Sequence, residues 1–261
     1  MLPRADLLAG SRDPAALEGV LVAAEQALRT WQPRWSGFLD GGVLEEAALR
    51  LGSLAELASH SEGGHPGAER RRLVLARRDA GLELAQLEPP LVGVEISGNF
   101  LFDPAEPADL RAALVSLGLP LEGIGDLWLR GDRGGQGVVG QEWQKQLLGG
   151  EAPVRSVPVQ IAPRPLAELQ APPRRQPRRL HSVEASTRLD AVASAGFGVA
   201  RNRLAELIRA GQVRVNWLTV TSPSHPLRTG DRVQLSGKGE LTVEAITTTK
   251  RDRYRIALLR R

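Results

Sequence analysis

The chain has 261 residues, room for two or three domains, and 42% apolar, 25% charged and 4% aromatic residues describe a soluble globular protein whose cores rest on Leu, Val and Ala. It has no cysteine, which excludes disulfides, thiolate metal sites and cysteine nucleophiles. The net charge of +4 hides an asymmetry: residues 1–170 hold 16 Lys and Arg against 23 Asp and Glu, net −7, while residues 171–261 hold 18 against 7, net +11.

A basic last third on an acidic body points to a polyanion-binding module carried on a scaffold. No apolar run approaches the roughly 18–20 residues of a membrane span. The opening residues show no signal-peptide apolar region, so a cytoplasmic location is expected.

Residues 14–31 read as an amphipathic helix, with Leu17, Val20, Leu21, Ala24 and Leu28 at three- and four-residue intervals. A second helix is predicted over 43–59, with Leu44, Ala47, Ala48, Leu51, Leu54 and Leu57 turned inward, and a Gly- and Pro-rich loop over 61–67. Residues 1–67 are thus a predicted N-terminal helical region. RRLVLARRD, LELAQLEP and LVGVEISGN read as strands, and 107–118 as a helix with Pro107 in its first turn and Gly118 past its end. IGDLWLRG and GQGVVG are strands, QEWQKQLLGG a short helix and PVRSVPVQIA a final strand. Residues 68–162 therefore predict a central α+β domain, an α/β sandwich like the RNA-recognition fold.

Residues 163–180 hold five prolines and five arginines and predict a semi-extended linker. The last module, 181–261, has helices predicted at 188–197 and 200–211. Strands QVRVNWLTVTSP, DRVQLSG, ELTVEAI and YRIALLRR follow.

The second helix of that module carries the chemistry. Ala200, Leu204, Leu207 and Ile208 share its inward face. Arg201 and Arg203 flank its start, where unpaired N–H groups and the helix dipole favour an anion. An arginine fork can hold two phosphate oxygens at once, so the two make a phosphate-binding corner. Arg188, opening the preceding helix, extends it, and Asp190 orients an arginine or caps that helix. Arg209 projects from the opposite side.

R-L-D at 188–190, A-R-N-R at 200–203, L-I-R-A-G-Q-V-R-V-N at 207–216, G-D-R-V at 230–233 and G-K-G at 237–239 occur in that order. Together they resemble the S-four RNA-binding domain, over about residues 187–245. The resemblance implies an α-L fold, a helix pair on a small sheet, that binds structured RNA. It assigns RNA contacts to Arg188, Arg201, Arg203, Asn216 and Lys238. Asn202, Arg209, Arg214 and Trp217 complete the candidate interface, Trp217 being either a core residue or a stacking partner for a ribose or base.

GGHPGAERRRLVL at 63–75 and LRAALVSLGLPLEGIGDLWL at 110–129 resemble YlmH-like proteins. GFGVARNRLAELIRAGQVRVNW and TTTKRDRYRIALLRR look most like their cyanobacterial and plastid branch, labelled photosystem II S-four domain protein. The family resemblance implies association with the large ribosomal subunit and with rescue of stalled nascent chains; the branch label implies a photosynthetic setting. Two departures stand out. Ala200 replaces the usual Ser, losing a helix cap of about 0.5–2 kcal/mol. Glu240 stands where the family often has Arg, a repulsive neighbour for phosphate.

Other signals point away from catalysis. Gly135, Gly137 and Gly140 satisfy G-x-G-x-x-G, but no acidic residue follows about 20 positions on, so they read as turn residues. His60, His65, His181 and His225 show no zinc spacing. Glu45 and Glu46 sit on an exposed helix face. Trp31, Trp35, Trp128 and Trp143 read as core. Arg70, Arg71 and Arg72 are either a solvated strand edge or a second RNA surface. The expectation is a non-catalytic, cofactor-free monomer that binds structured RNA, either rRNA or tRNA on the large subunit. Its alternatives are an RNA-modifying enzyme with this module as docking arm and a photosystem assembly factor.

Overall fold

A computed structural model describes residues 2–173, 176–235 and 237–261. The chain divides into two compact units, Met1–Pro173 and Arg174–Arg261.

The first unit opens with helices α1 (Arg4–Leu8), α2 (Pro14–Thr30) and α3 (Gly41–Leu51). The Asp13 side chain accepts from the Ala16 N–H and caps α2, and Asp40 accepts from the Val43 N–H and caps α3. Strands β1 (Arg34–Trp35), β2 (Leu57–Glu62) and β3 (Arg72–Arg77) form an antiparallel sheet in the order β1-β3-β2. Leu17, Val20, Leu21 and Ala24 of α2 pack on Leu73 and Leu75 of β3.

The N-terminal region is therefore not purely helical, and a boundary at residue 67 cuts the β2–β3 hairpin. The second helix predicted over 43–59 is too long. It stops at Leu51, with Gly52 as its cap, and Leu57 is buried as the first residue of a strand. Leu54 and Leu57 happen to continue the helical spacing, but Gly52-Ser53 breaks the element and β3 supplies a strand partner.

The central sheet is built from β4 (Leu91–Ser97), β5 (Ile124–Leu129), β6 (Gly134–Gly140), β7 (Gly150–Val154) and β8 (Val157–Arg164). Helix α4 (Pro107–Ser116) follows β4, and the short α5 (Gln144–Leu147) follows β6. The order β5-β6-β4-β8-β7 is antiparallel throughout. This is the split βαβ arrangement of RNA-recognition folds with one added edge strand. Val92, Val94 and Ile96 face a core shared with Leu110 and Leu114 of α4.

Three sequence expectations fail here. LELAQLEP is not a strand: Leu84–Gln86 is a 3-10 turn, with Leu84 and Leu87 packing on Val74 and Ala76. PVRSVPVQIA is a hairpin of two strands, turning at Arg155 in the left-handed region. Gly135 and Gly137 lie inside β6 rather than in turns. They have no room for a Cβ against Leu110 and Leu127.

The predicted linker is folded at both ends. Arg164 belongs to β8, and Leu166, Leu169 and Ala171 pack on Phe38, Leu91, Trp128 and Val138. A Cβ on Gly93 would stand 2.7 Å from the Arg164 carbonyl and 2.8 Å from Leu169, so this segment lies directly on β4. The sheet face opposite the helices is thereby covered. The linker arginines Arg174 and Arg175 lie outside the described residues, and from Arg178 the chain is strand again.

The second unit has β9 (Arg178–Glu184), α6 (Leu189–Phe197), α7 (Arg201–Arg209), β10 (Val213–Val215), β11 (Leu218–Thr219), β12 (Arg232–Leu235), β13 (Gly239–Thr248) and β14 (Tyr254–Arg260). Its antiparallel sheet runs β11-β10-β12-β13-β14-β9. Val192, Phe197, Leu204 and Ile208 from the helix pair pack on Val213, Val233, Leu241 and Ile256. The stretch 212–223, expected as one strand, is instead a tight hairpin of β10 and β11.

Candidate nucleic-acid interface

The start of α6 is fixed by a neighbouring loop. The Leu189 and Asp190 N–H groups donate to the carbonyls of His225 (2.8 Å) and Pro223 (3.0 Å). This seats Asp190 with only 6% of its surface exposed. Its carboxylate accepts from Arg188 Nε and Nη2, each at 3.1 Å, and from Arg201 Nε and Nη2 at 3.2 Å. Burial pushes the Asp190 carboxyl up, but the hydrogen bonds from Arg188 and Arg201 outweigh it and hold it below the usual carboxylate range. The Arg188 guanidinium is correspondingly pushed up by its bond to Asp190.

Each arginine thus gives one edge of its fork to Asp190, while its side chain stays 42% (Arg188) or 53% (Arg201) exposed. Two cations on one carboxylate leave a net positive corner whose long side chains are already ordered. That ordering removes part of the rotamer entropy, about 0.5–1.5 kcal/mol per side chain, otherwise lost on binding.

Helix α7 has no side-chain cap, because Ala200 occupies its N-cap position. Asn202 and Arg203 are exposed on the first turn, beside the Arg201 clamp. Arg203 pairs at 3.2 Å with Glu206, an exposed i,i+3 contact that a phosphate can replace at little cost. Arg188, Arg201, Asn202 and Arg203 therefore form one group.

The other predicted contacts lie elsewhere. Arg209 ends α7, about 12 Å along the helix axis from Arg201. There a cation complements the helix dipole, so it is not part of the corner. Lys238 is exposed in the turn between β12 and β13. Arg214 sits mid-sheet between Thr219 and Gln234, on the face opposite core residues Val213 and Val215.

Asn216 is held in place by hydrogen bonds within the module. Its Nδ2 donates to Asp231 (2.9 Å) and its Oδ1 accepts from the Arg232 N–H (3.0 Å). Asn216 and Trp217 both have positive φ, 50° and 70°, as a two-residue hairpin turn of the primed type requires. Trp217 carries the Arg232 guanidinium 5.1 Å from its ring centroid. Arg232 in turn donates to Glu240 at 2.7 Å, as does Gln234 at 3.0 Å. The Glu240 charge is thereby paired inside the sheet, which removes the repulsion expected from it. Arg232 was missed at the sequence level, although the G-D-R-V motif contains it.

Arg70, Arg71 and Arg72 are not an open solvated edge: Arg72 is buried and Arg70 and Arg71 are half-buried. Arg70 donates to the carbonyls of Ile124, Phe38 and Leu121, and Arg71 to that of Ala68. Arg72 is buried, donating to Ser36 O at 2.6 Å, Pro90 O at 3.2 Å and Glu142 at 3.1 Å. Arg70 and Arg72 tie the N-terminal sheet to the central one. His65 pairs with Asp126 at 3.1 Å beside Trp128. Trp31 is not core: it is 57% exposed under Arg77, 3.8 Å from its ring centroid.

A model of the YlmH N-terminal domain matches residues 13–80, and the S4 domain model matches residues 187–233, the segment that holds the Asp190 clamp. The chain is YlmH-like in its domain pairing. It is 26% identical over 207 residues, 79% of each chain, to "Ribosome-associated protein quality control protein P2" of Bacillus subtilis (strain 168). Among solved structures it is similar to "Cell division protein ylmH from Streptococcus pneumoniae", at 19% identity and a TM-score of 0.45. That likeness covers 60% of this chain and 93% of the other. The S4 match ends at residue 233, so β13 and β14 continue the sheet beyond it.

Proposed function

We propose that this chain is a non-catalytic RNA-binding protein of the cytoplasm that docks on structured ribosomal RNA of the large subunit and serves quality control of stalled translation. The observation that carries the reading is the Asp190 clamp, which presents Arg188 and Arg201 beside the uncapped start of α7. Such a corner fits phosphate oxygens and offers few groups to read base edges, so backbone shape is the main recognised feature. The S4 match and the relative named for ribosome-associated quality control support the same ligand. The central sheet is not a second reader of RNA in this reading. Its topology is of the RNA-recognition kind, but Leu166, Leu169 and Ala171 cover the face on which bases would stack. Resemblance to the photosynthetic branch concerns the setting and leaves the ligand unchanged.

The test is binding of the full chain to purified bacterial large ribosomal subunits across a salt series. Three to five phosphate contacts give a log–log slope of about −2 to −4. Replacing Arg201 and Arg203 with Ala flattens it by about one unit per lost contact. Unchanged binding by that double variant rejects the corner as the site.

A further inference from the structure

We propose that the tip of the β13–β14 hairpin is a second phosphate-binding surface, gripping the backbone of the same folded RNA. This rests on the RNA-binding reading above. The tip borders a groove of about 740 Å³ lined by Val183, the Thr247–Thr249 run, and Lys250, Arg251, Arg253 and Arg255. Among the described residues no carboxylate lines it. None of the four cations has an ion-pair partner among the described residues. The nearby acids are Asp252, in the turn itself, and Glu184, which is bonded to Ser182.

The tip is ordered by its own hydrogen bonds. The Thr249 N–H donates to the Arg253 carbonyl at 2.7 Å, and the Thr249 hydroxyl accepts from the N–H groups of Arg251 (3.4 Å) and Arg253 (3.2 Å). Asp252 takes the left-handed conformation, φ 52°, that closes such a short loop. The cations are thus displayed on a fixed frame. Arg253 and Arg255, two residues apart, are separated by about 6.8 Å along the strand, close to the step between successive phosphates. On the facing strand end Thr248 is exposed and supplies a neutral hydroxyl of the kind that contacts phosphate and sugar. The 249–253 turn, TKRDR, carries no apolar side chain to insert into a bilayer, which favours RNA over lipid.

The surface also lies within reach of the Asp190 clamp. Tyr254 pairs with Glu184 at the end of β9, and Arg188 follows Glu184 by four residues. Chain length limits that step to about 14 Å, and the ladder adds about 5 Å. The Cα atoms of Arg188 and Tyr254, at the base of the hairpin tip, are thus about 20 Å apart at most, a span that one RNA stem bridges.

The experiment compares the full chain with a variant replacing Lys250, Arg251, Arg253 and Arg255 by Ala, and with the Arg201→Ala/Arg203→Ala variant. The probe is an RNA stem of about 16–20 base pairs, followed by large ribosomal subunits. The four positions are exposed, so the hairpin variant should keep the wild-type melting temperature. We expect its salt slope to flatten by about 2–3 units, and its backbone protections to be lost at nucleotides distinct from those the Arg201/Arg203 variant loses. An unchanged slope and footprint overturn the inference while the clamp reading stands. Retained binding by the Arg201/Arg203 variant with loss by the hairpin variant rejects the clamp and upholds the hairpin. Loss of binding to anionic vesicles or to a poly-glutamate peptide, with RNA binding intact, assigns the groove to another polyanion and overturns the proposal.

Discussion

Asp190, on the first turn of α6, holds Arg201, on the first turn of α7, through both Nε and Nη2 at 3.2 Å. The same carboxylate holds Arg188, so one buried acid sets the direction of two cations. The clamp has a consequence opposite to that of net charge alone. Asp190→Ala makes the module one unit more positive, yet releases both arginines. RNA affinity should fall about 3- to 10-fold, by the ordering cost of one or two side chains. Stability should drop by about 1–2 kcal/mol, at the low end for charged hydrogen bonds because both arginines are half exposed. Titration of RNA and a denaturant melt check both, and tighter binding by the variant removes the clamp from the account.

The pH dependence follows in sign. The folded Asp190 carboxyl is held below its ordinary value, so its contribution is fully present above about pH 4 and is lost as pH falls through the lower folded value. Salt-matched RNA binding should therefore be insensitive to the clamp from pH 5 to about pH 8. Asp103 offers an internal standard. Hydrogen bonds from the Ser156 hydroxyl and N–H and from Arg155 hold its carboxyl at about 2. Carboxyl-carbon NMR titration should find Asp103 titrating near that value and Asp190 below the unperturbed range.

Arg72→Met separates structure from binding. It strips partners from the carbonyls of Ser36 and Pro90 and from Glu142. A buried group of this kind costs about 2–4 kcal/mol when removed. The first unit should unfold at lower urea, while the RNA affinity of the folded chain stays as in wild type. A variant that loses affinity without losing stability would restore the arginine run as an RNA surface.

Trp217→Gly sets two small terms against each other. Glycine relieves the strain of a positive φ, a gain of about 1 kcal/mol, but it forfeits a cation–π contact with Arg232 worth about 0.5–1 kcal/mol. The melting transition of the second unit should move by less than the equivalent of about 1 kcal/mol. A much larger loss would show that the ring supports the sheet through packing rather than through Arg232.

The sequence was most legible where local chemistry decides. The α2 stripe of Leu17, Val20, Leu21 and Ala24, the Pro107 start of α4 and the ordered motifs of 188–239 all depend on neighbours a few residues away. It misled where a distant partner overrides a local pattern. Leu57 keeps helical spacing but pairs with Arg77 across a sheet, and the proline-rich 165–171 segment looks solvated but lies on the central domain.

By itself, then, the sequence determined the charge asymmetry, the helix pair and the arginines at its edge, because these need only composition and short-range periodicity. Only the tertiary structure decided which arginines remain available. Arg70, Arg72 and Arg232 are held by carbonyls, an aromatic ring and carboxylates from remote elements, whereas Arg188 and Arg201 are oriented by Asp190 and stay exposed. A guanidinium looks the same in any sequence. Its role is set by the acceptors that the fold brings within about 3 Å.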